Sequence, residues 1–147
     1  IGSGEIQEIY FPTLGDSAIG IVSALHYTEN LDNPQNKALK ATLKKMFGPK
    51  TVPDIASVAA WDSMNLIYDA IRALGPDASG EAIVKFMAGR EYQSPRGPIK
   101  IDAKERDIIQ NIYIRRVVKR NGKLENMNID VLKNVRDPWK DDNPAKK

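Results

Sequence analysis

The sequence predicts an α/β fold, and three observations lead there. An apolar, β-branched run from Ala18 to Tyr27 has the length of a strand. Two helical segments with marked ends follow, over residues 34–47 and 53–74. Asn121-Gly122 then separates two β-branched stretches, the strongest short hairpin signal, because both positions of a type I′ turn need positive φ.

Taken in order, Ile1-Gly2-Ser3-Gly4 reads as the end of a strand entering a loop. Residues 5–14 are ambiguous, with Pro12 favouring a short helix or turn before Gly15-Asp16. The strand at 18–27 comes next. For the first long helix Asn33 can cap, Pro34 suits the first position and Gly48-Pro49 stops it. Leu39, Leu43, Met46 and Phe47 form one apolar stripe, expected to face inward, with Lys37, Lys40, Lys44 and Lys45 toward water. The second helix, with Pro53 at its first position, carries Ile55, Val58, Trp61, Leu66, Ile67, Ala70, Ile71 and Leu74. So little polar face remains that burial on most sides is expected. A third helix opens at Asp77 or Ser79 and ends at Gly89, with Ile83, Phe86 and Met87 inward. Pro95-Arg96-Gly97-Pro98 is turn chemistry before a short strand at 99–101. A hairpin of residues 108–120 and 123–132 closes the pattern, and the tail from Arg136 is expected to be loosely held. Strands alternating with helices suggest an open sheet with parallel neighbours, of which this order looks like only a part.

The 147 residues are 41% hydrophobic and 28% charged, with a mean hydropathy of −0.43. The apolar runs are strand-sized, far short of the ~20 residues that span a bilayer, so a membrane-embedded role is not expected. Zero Cys and one His exclude thiolate nucleophiles, Cys-zinc sites and multi-His metal sites. No GxGxxG, GxxxxGK[ST] or GxSxG occurs, which argues against dinucleotide, P-loop and serine-hydrolase chemistry. No cofactor is expected.

Charge is uneven: residues 1–94 hold 8 basic and 11 acidic side chains, residues 95–147 hold 14 and 8. The basic cluster Arg115, Arg116, Lys119, Arg120 and Lys123 has only Tyr113 as an aromatic neighbour, and strand alternation sends Arg115 and Arg116 to opposite faces. A solvated, charge-protected sheet edge fits this better than a nucleic-acid surface.

Three places could carry binding chemistry. The Gly2-Ser3-Gly4 loop could cradle a ligand through backbone N–H groups, or be an ordinary turn. His26-Tyr27 ends a strand, where open α/β sheets put ligand contacts, or packs there with its polar tips in water. Trp61-Asp62 lies on an apolar helix, where a carboxylate must pair with backbone or an Arg, or face a cleft.

The string Gly15-Asp16-Ser17-Ala18-Ile19-Gly20-Ile21-Val22-Ser23, then Asn33-Pro34-Gln35-Asn36-Lys37-Ala38 and the Ala-Ala-Trp-Asp-Ser-Met helix, resembles the branched-chain amino-acid-binding family. These are type I periplasmic substrate-binding proteins of ABC transporters. Ser94-Pro95-Arg96-Gly97-Pro98-Ile99 and Asp107-Ile108-Ile109-Gln110-Asn111-Ile112-Tyr113-Ile114-Arg115 resemble that family's C-terminal section. The resemblance implies the C-terminal part of a two-lobe, Rossmann-like fold whose lobes trap a small-molecule ligand between them. Residues 1–27 would end the second lobe, 28–107 would return to the first, 108–135 would form the second lobe's terminal hairpin, and 136–147 a tail. The implied function is solute capture for an ABC importer in the periplasm, with the membrane subunits as partner, a secretion signal outside this chain and no enzymatic step. A ligand-sensing module of the same fold in a signalling protein is the alternative. Ligand contacts implied or suggested are Ser3, Glu5, His26, Tyr27 and Trp61. Glu5 is the candidate partner for an amino-acid ammonium, and His26-Tyr27 resembles the aromatic positions of relatives that take aromatic acids. A piece of such a fold, with open sheet edges, is expected to form a strand- or domain-swapped homodimer.

Overall fold

A computed structural model describes residues 6–142. The chain opens with a 3₁₀ turn at Glu8–Tyr10, helix α1 (Phe11–Leu14) and a second 3₁₀ turn at Gly15–Ala18. Strand β1 (Val22–Leu25) is therefore shorter than the apolar run suggested. The Ile21 N–H closes a turn on the Ala18 carbonyl at 3.1 Å, and Gly20 sits at φ +87°, so extended backbone begins only at Val22.

Helix α2 (Pro34–Phe47) keeps its expected ends. The Asn36 N–H donates to Asn33 Oδ1 at 2.8 Å, and Gly48 ends the helix at φ +100°. Its apolar stripe is only half used: Leu39 is buried, whereas Met46 and Phe47 are 66% and 68% exposed. Helix α3 (Ile55–Leu74) starts two residues after Pro53, because Asp54 and Ser57 form a capping box with both bonds at 2.8 Å. It is not buried on most sides. One stripe, Val58, Asp62, Leu66 and Ala70, is covered, while Met64, Tyr68 and Leu74 are exposed. Ser79 caps α4 (Gly80–Met87), which packs on α3 with Ile83, Phe86 and Met87 half-buried.

The remaining chain is β2 (Glu91–Ser94), β3 (Gly97–Ile101), β4 (Ile108–Arg120) and β5 (Lys123–Val135), then a short helix α5 (Pro138–Asp142). The sequence hides β2, whose alternation of Glu91, Tyr92, Gln93 and Ser94 lacks β-branched residues. Among the described residues every strand pairing is antiparallel, as the hairpin signal at Asn121-Gly122 required for β4 and β5, and no parallel pair occurs among them. For two of the four pairings the reason is connectivity: tight turns join β2 to β3 and β4 to β5, and such turns make only antiparallel neighbours. Strand β4 is the common member. Its first two residues pair with β3, residues 113–116 with β1, and most of its length with β5. Asn121 and Gly122 adopt φ 51° and 78°, as a type I′ turn requires. The tail is tied down rather than loose through Asp142: Lys140 pairs with Asp107 and Arg136 with Asp102.

Two apolar clusters form separately. Phe11, Ala18 and Val117 gather Ile6, Leu14, Ile21 and Leu124, while Tyr27, Leu39 and Val58 gather Leu31, Leu43, Ile55 and Trp61. Between them the chain is joined by polar side chains.

Candidate functional site

That polar junction is assembled from the end of β1, the β2–β3 turn and the middle of β4. Asp62, on the covered stripe of α3, is 1% exposed. Its Oδ2 accepts from Ser94 Oγ at 2.8 Å, Arg96 Nε at 2.8 Å and Arg96 Nη2 at 2.7 Å. Arg96 Nη1 continues to Gln110 Oε1 at 2.8 Å, and the Tyr113 hydroxyl donates to the Arg96 carbonyl at 2.8 Å. Burial holds the Asp62 carboxyl above its ordinary value, and the Ser94 and Arg96 donors offset only part of that rise. The Pro-Arg-Gly-Pro turn is thereby fixed from below by α3 and from the side by β4. Gly97 belongs here for a steric reason: at φ +94°, an added Cβ would lie 2.9 Å from the Tyr113 hydroxyl.

Arg115 is fully buried, on the inward face of β4. It donates to the Tyr27 carbonyl at 3.0 Å, the Ile6 carbonyl at 2.9 Å and Ser23 Oγ at 3.0 Å. No carboxylate stands within ion-pair distance of it among the described residues. Asn126 of β5, also fully buried, donates through Nδ2 to the same Ile6 carbonyl at 3.0 Å, and its backbone carbonyl accepts from Asn30 Nδ2 at 2.7 Å. Among the described residues, Arg115 Nε and Asn126 Oδ1 are buried without a hydrogen-bond partner. Glu8, half-buried beside this pair, is held above the ordinary carboxylate range by burial.

His26 follows β1 directly and is half-buried. Burial and then the cations Arg96 and Arg115 lower its pKa to about 4, so the imidazole is neutral at physiological pH. A neutral ring offers one donor and one acceptor. Tyr27 is 2% exposed and its hydroxyl donates to Asn36 Oδ1 at 2.8 Å; its tip is satisfied by protein rather than water. Asn36 also holds the Glu29 and Leu31 carbonyls, and Asn33 Nδ2 reaches the Pro95 carbonyl at 3.0 Å, so the 26–33 segment is pinned on both sides.

The structure brings Tyr27 and Trp61 into one apolar cluster and leaves His26 at its polar margin, near both guanidiniums. Ser3 and Glu5 lie outside the described residues. Of the two readings open for Asp62, pairing with an Arg is the one observed. The basic cluster on the hairpin is not uniformly solvated: Arg115 points inward and only Arg116 and its neighbours face water. Ser94, Arg96, Gln110, Arg115 and Asn126 carry the junction but were not singled out as a site. The one sequence signal for Arg115 is alternation, which places it opposite Arg116.

With this geometry in view, the chain matches a family model described as periplasmic binding protein over residues 2–123. It is 36% identical over 133 residues to the Leu/Ile/Val-binding protein homolog 6 of Brucella abortus and of Brucella suis, covering 90% of this chain and 34% of those proteins. A solute-binding protein of an ABC transporter from Rhodopseudomonas palustris BisB5, solved with 3,4-dihydroxybenzoic acid, shares 37% identity at a TM-score of 0.84. That alignment covers 92% of this chain and 37% of that one. A second R. palustris solute-binding protein, solved with 4-hydroxybenzoate, shares 40% identity at a TM-score of 0.80, covering 88% and 35%. The chain thus spans about a third of the length of the relatives it matches. With the family pattern running over most of its residues and its α/β architecture superposing on solved members, the chain belongs to the periplasmic binding protein family.

Proposed function

We propose that this chain supplies the C-terminal part of a periplasmic solute-binding protein that delivers a small carboxylate-bearing ligand to the membrane subunits of an ABC importer. The reading is carried by one observation: two separate apolar clusters meet at a buried polar junction where residues 26–33, the 95–97 turn and residues 110–115 converge. In this reading residues 28–107 belong to one lobe and residues 1–27 with 108–135 to the other. Ligand that touches both lobes stabilises the closed arrangement, and capture needs no bond to be made or broken. No catalytic role is assigned to any residue.

The ligand's charge follows from Arg115. Among the described residues the Arg115 guanidinium is bonded to carbonyls and a hydroxyl and feels the Glu8 carboxylate only through space, whereas Arg96 is matched directly by Asp62, so the charge on Arg115 is the less compensated of the two. The surplus favours an anion near His26, and the neutral imidazole can direct a polar substituent. Aromatic acids fit both features, and they are what the R. palustris relatives hold. Ser3, Glu5, His26, Tyr27 and Trp61 remain the proposed contacts, with Tyr27 and Trp61 acting through the apolar wall they share.

The test is a thermal-shift screen of the full-length parent with 4-hydroxybenzoate, 3,4-dihydroxybenzoate, benzoate, leucine and valine. A ligand at 100 times its Kd adds ~2.7 kcal/mol of stability, so the aromatic acids should raise the Tm clearly. A flat response to all five would remove the proposal. A response to leucine alone would keep the importer and replace the ligand class.

A further inference from the structure

The exposed apolar surface of this chain is of two kinds. On α3, Met64 and Tyr68 stand on a face with no charged side chain between Ile55 and Asp62 and none from Ser63 to Tyr68. At the end of α2 the situation is the reverse. Met46 and Phe47 are the adjacent pair at the tip, 66% and 68% exposed, preceded in the chain by Lys44 and Lys45 and followed by Lys50. Residues 34–50 contain five lysines and no carboxylate. Lys37 and Lys40 are matched by Asp32 and Glu29 of the preceding loop. Lys44, Lys45 and Lys50 have no carboxylate within ion-pair distance among the described residues. Lysines in the last turn are ordinary complements of a helix C-terminus, which accounts for Lys44 and Lys45. It does not account for Lys50, beyond the helix, or for a phenylalanine left in water beside them.

We infer that the α2 tip, Lys44 to Lys50, docks on an acidic protein surface that offers an apolar notch to Phe47. This rests on the importer reading above and names the face that meets the membrane subunits. Exposed lysines on either side of one aromatic in the chain, with no ion-pair partner among the described residues, supply the chemistry of a hot spot with a charged rim: the ring supplies burial, the lysines supply attraction and register. The lysines also argue against the rest of the parent as occupant, since charged ends are rarely buried within their own chain. A lipid surface is disfavoured because Leu39 is buried and Leu43 half-buried in the protein's own core, leaving only Met46 and Phe47 to insert.

The experiment uses the full-length parent, saturated with its ligand, and the cognate importer reconstituted in proteoliposomes. The readout is the parent concentration giving half-maximal stimulation of ATP hydrolysis. Phe47→Ala and the double variant Lys44→Glu/Lys45→Glu should each raise it about tenfold while ligand affinity by thermal shift stays unchanged. The charge reversal should also flatten its dependence on salt. If wild type stimulates and both variants match it, the docking face is elsewhere and the importer reading survives. If wild type gives no stimulation, the importer reading itself falls and the docking face with it. Binding to importer-free phosphatidylcholine vesicles containing phosphatidylglycerol, lost in the variants while stimulation is kept, would overturn the protein partner in favour of lipid.

Discussion

Removing the Asp62 carboxylate leaves the Arg96 guanidinium 5% exposed with Gln110 as its remaining side-chain acceptor among the described residues. Asp62→Ala should therefore cost about 3–5 kcal/mol, seen as a fall in the urea midpoint. Adding Arg96→Met should return much of the loss, because no buried charge is then stranded; a double variant as weak as the single one would contradict this. His26 gives a pH signature. Its folded pKa of about 4 lies below the ordinary 6.5, so the unfolded chain binds the extra proton between those values. Stability is unaffected by this group above pH 6.5 and declines as pH falls from 6.5 toward about 4. Glu8, raised by burial, slopes the opposite way. The measurement is thus the difference in Tm between wild type and His26→Asn across that range, which should grow as the solution is acidified in favour of the variant. The sequence made His26 visible through its place at a strand end. Alternation separated Arg115 from Arg116 but said nothing of its partners, and nothing local gave Arg96 its role; both depend on α3 and residues 6–27 arriving from far along the chain.

Elements were legible where both ends carried chemistry. Asn33 with Gly48 framed α2, and Asn121-Gly122 fixed the hairpin, because capping and positive φ are local demands. Asn33→Ala should cost about 1 kcal/mol for the lost cap, and more than a typical cap since Asn33 also holds the Pro95 carbonyl. Gly97→Ala should be worse than Gly122→Ala in the urea midpoint, since both sit at positive φ but only the first meets another atom, the Tyr113 hydroxyl. Equal losses would deny the steric argument. Outside that hairpin the direction of strand pairing, and with it the bounds of β1 and the strand β2, were not legible: each is settled by partners, and alternation alone says nothing about which way a neighbour runs.

At the level of the whole molecule, α3 shows what a sequence read without its surroundings overstates. Its apolar content suggested burial on most sides, yet one face lies open in a chain spanning about a third of its relatives' length. We expect the longer parent to cover that face. Met64→Lys should then destabilise the parent by about 2 kcal/mol or more, against the ~0.5 kcal/mol typical of a water-facing position. An unchanged Tm would mean that α3 is equally open there.

The register of β4 with β5 slips twice, between Gln110 and Ile112 and between Ile114 and Arg115, so that β5 carries one surplus residue at each place. The second surplus residue is Ile129, and Asn134 at the first adopts φ 54°. A bulge sharpens twist and interrupts the ladder. Amide deuterium uptake should accordingly run ahead at these two notches while the stretch from Arg116 to Arg120 stays protected, which would make this long ribbon a stiff rod with a pliant heel at the level where Arg115 is seated.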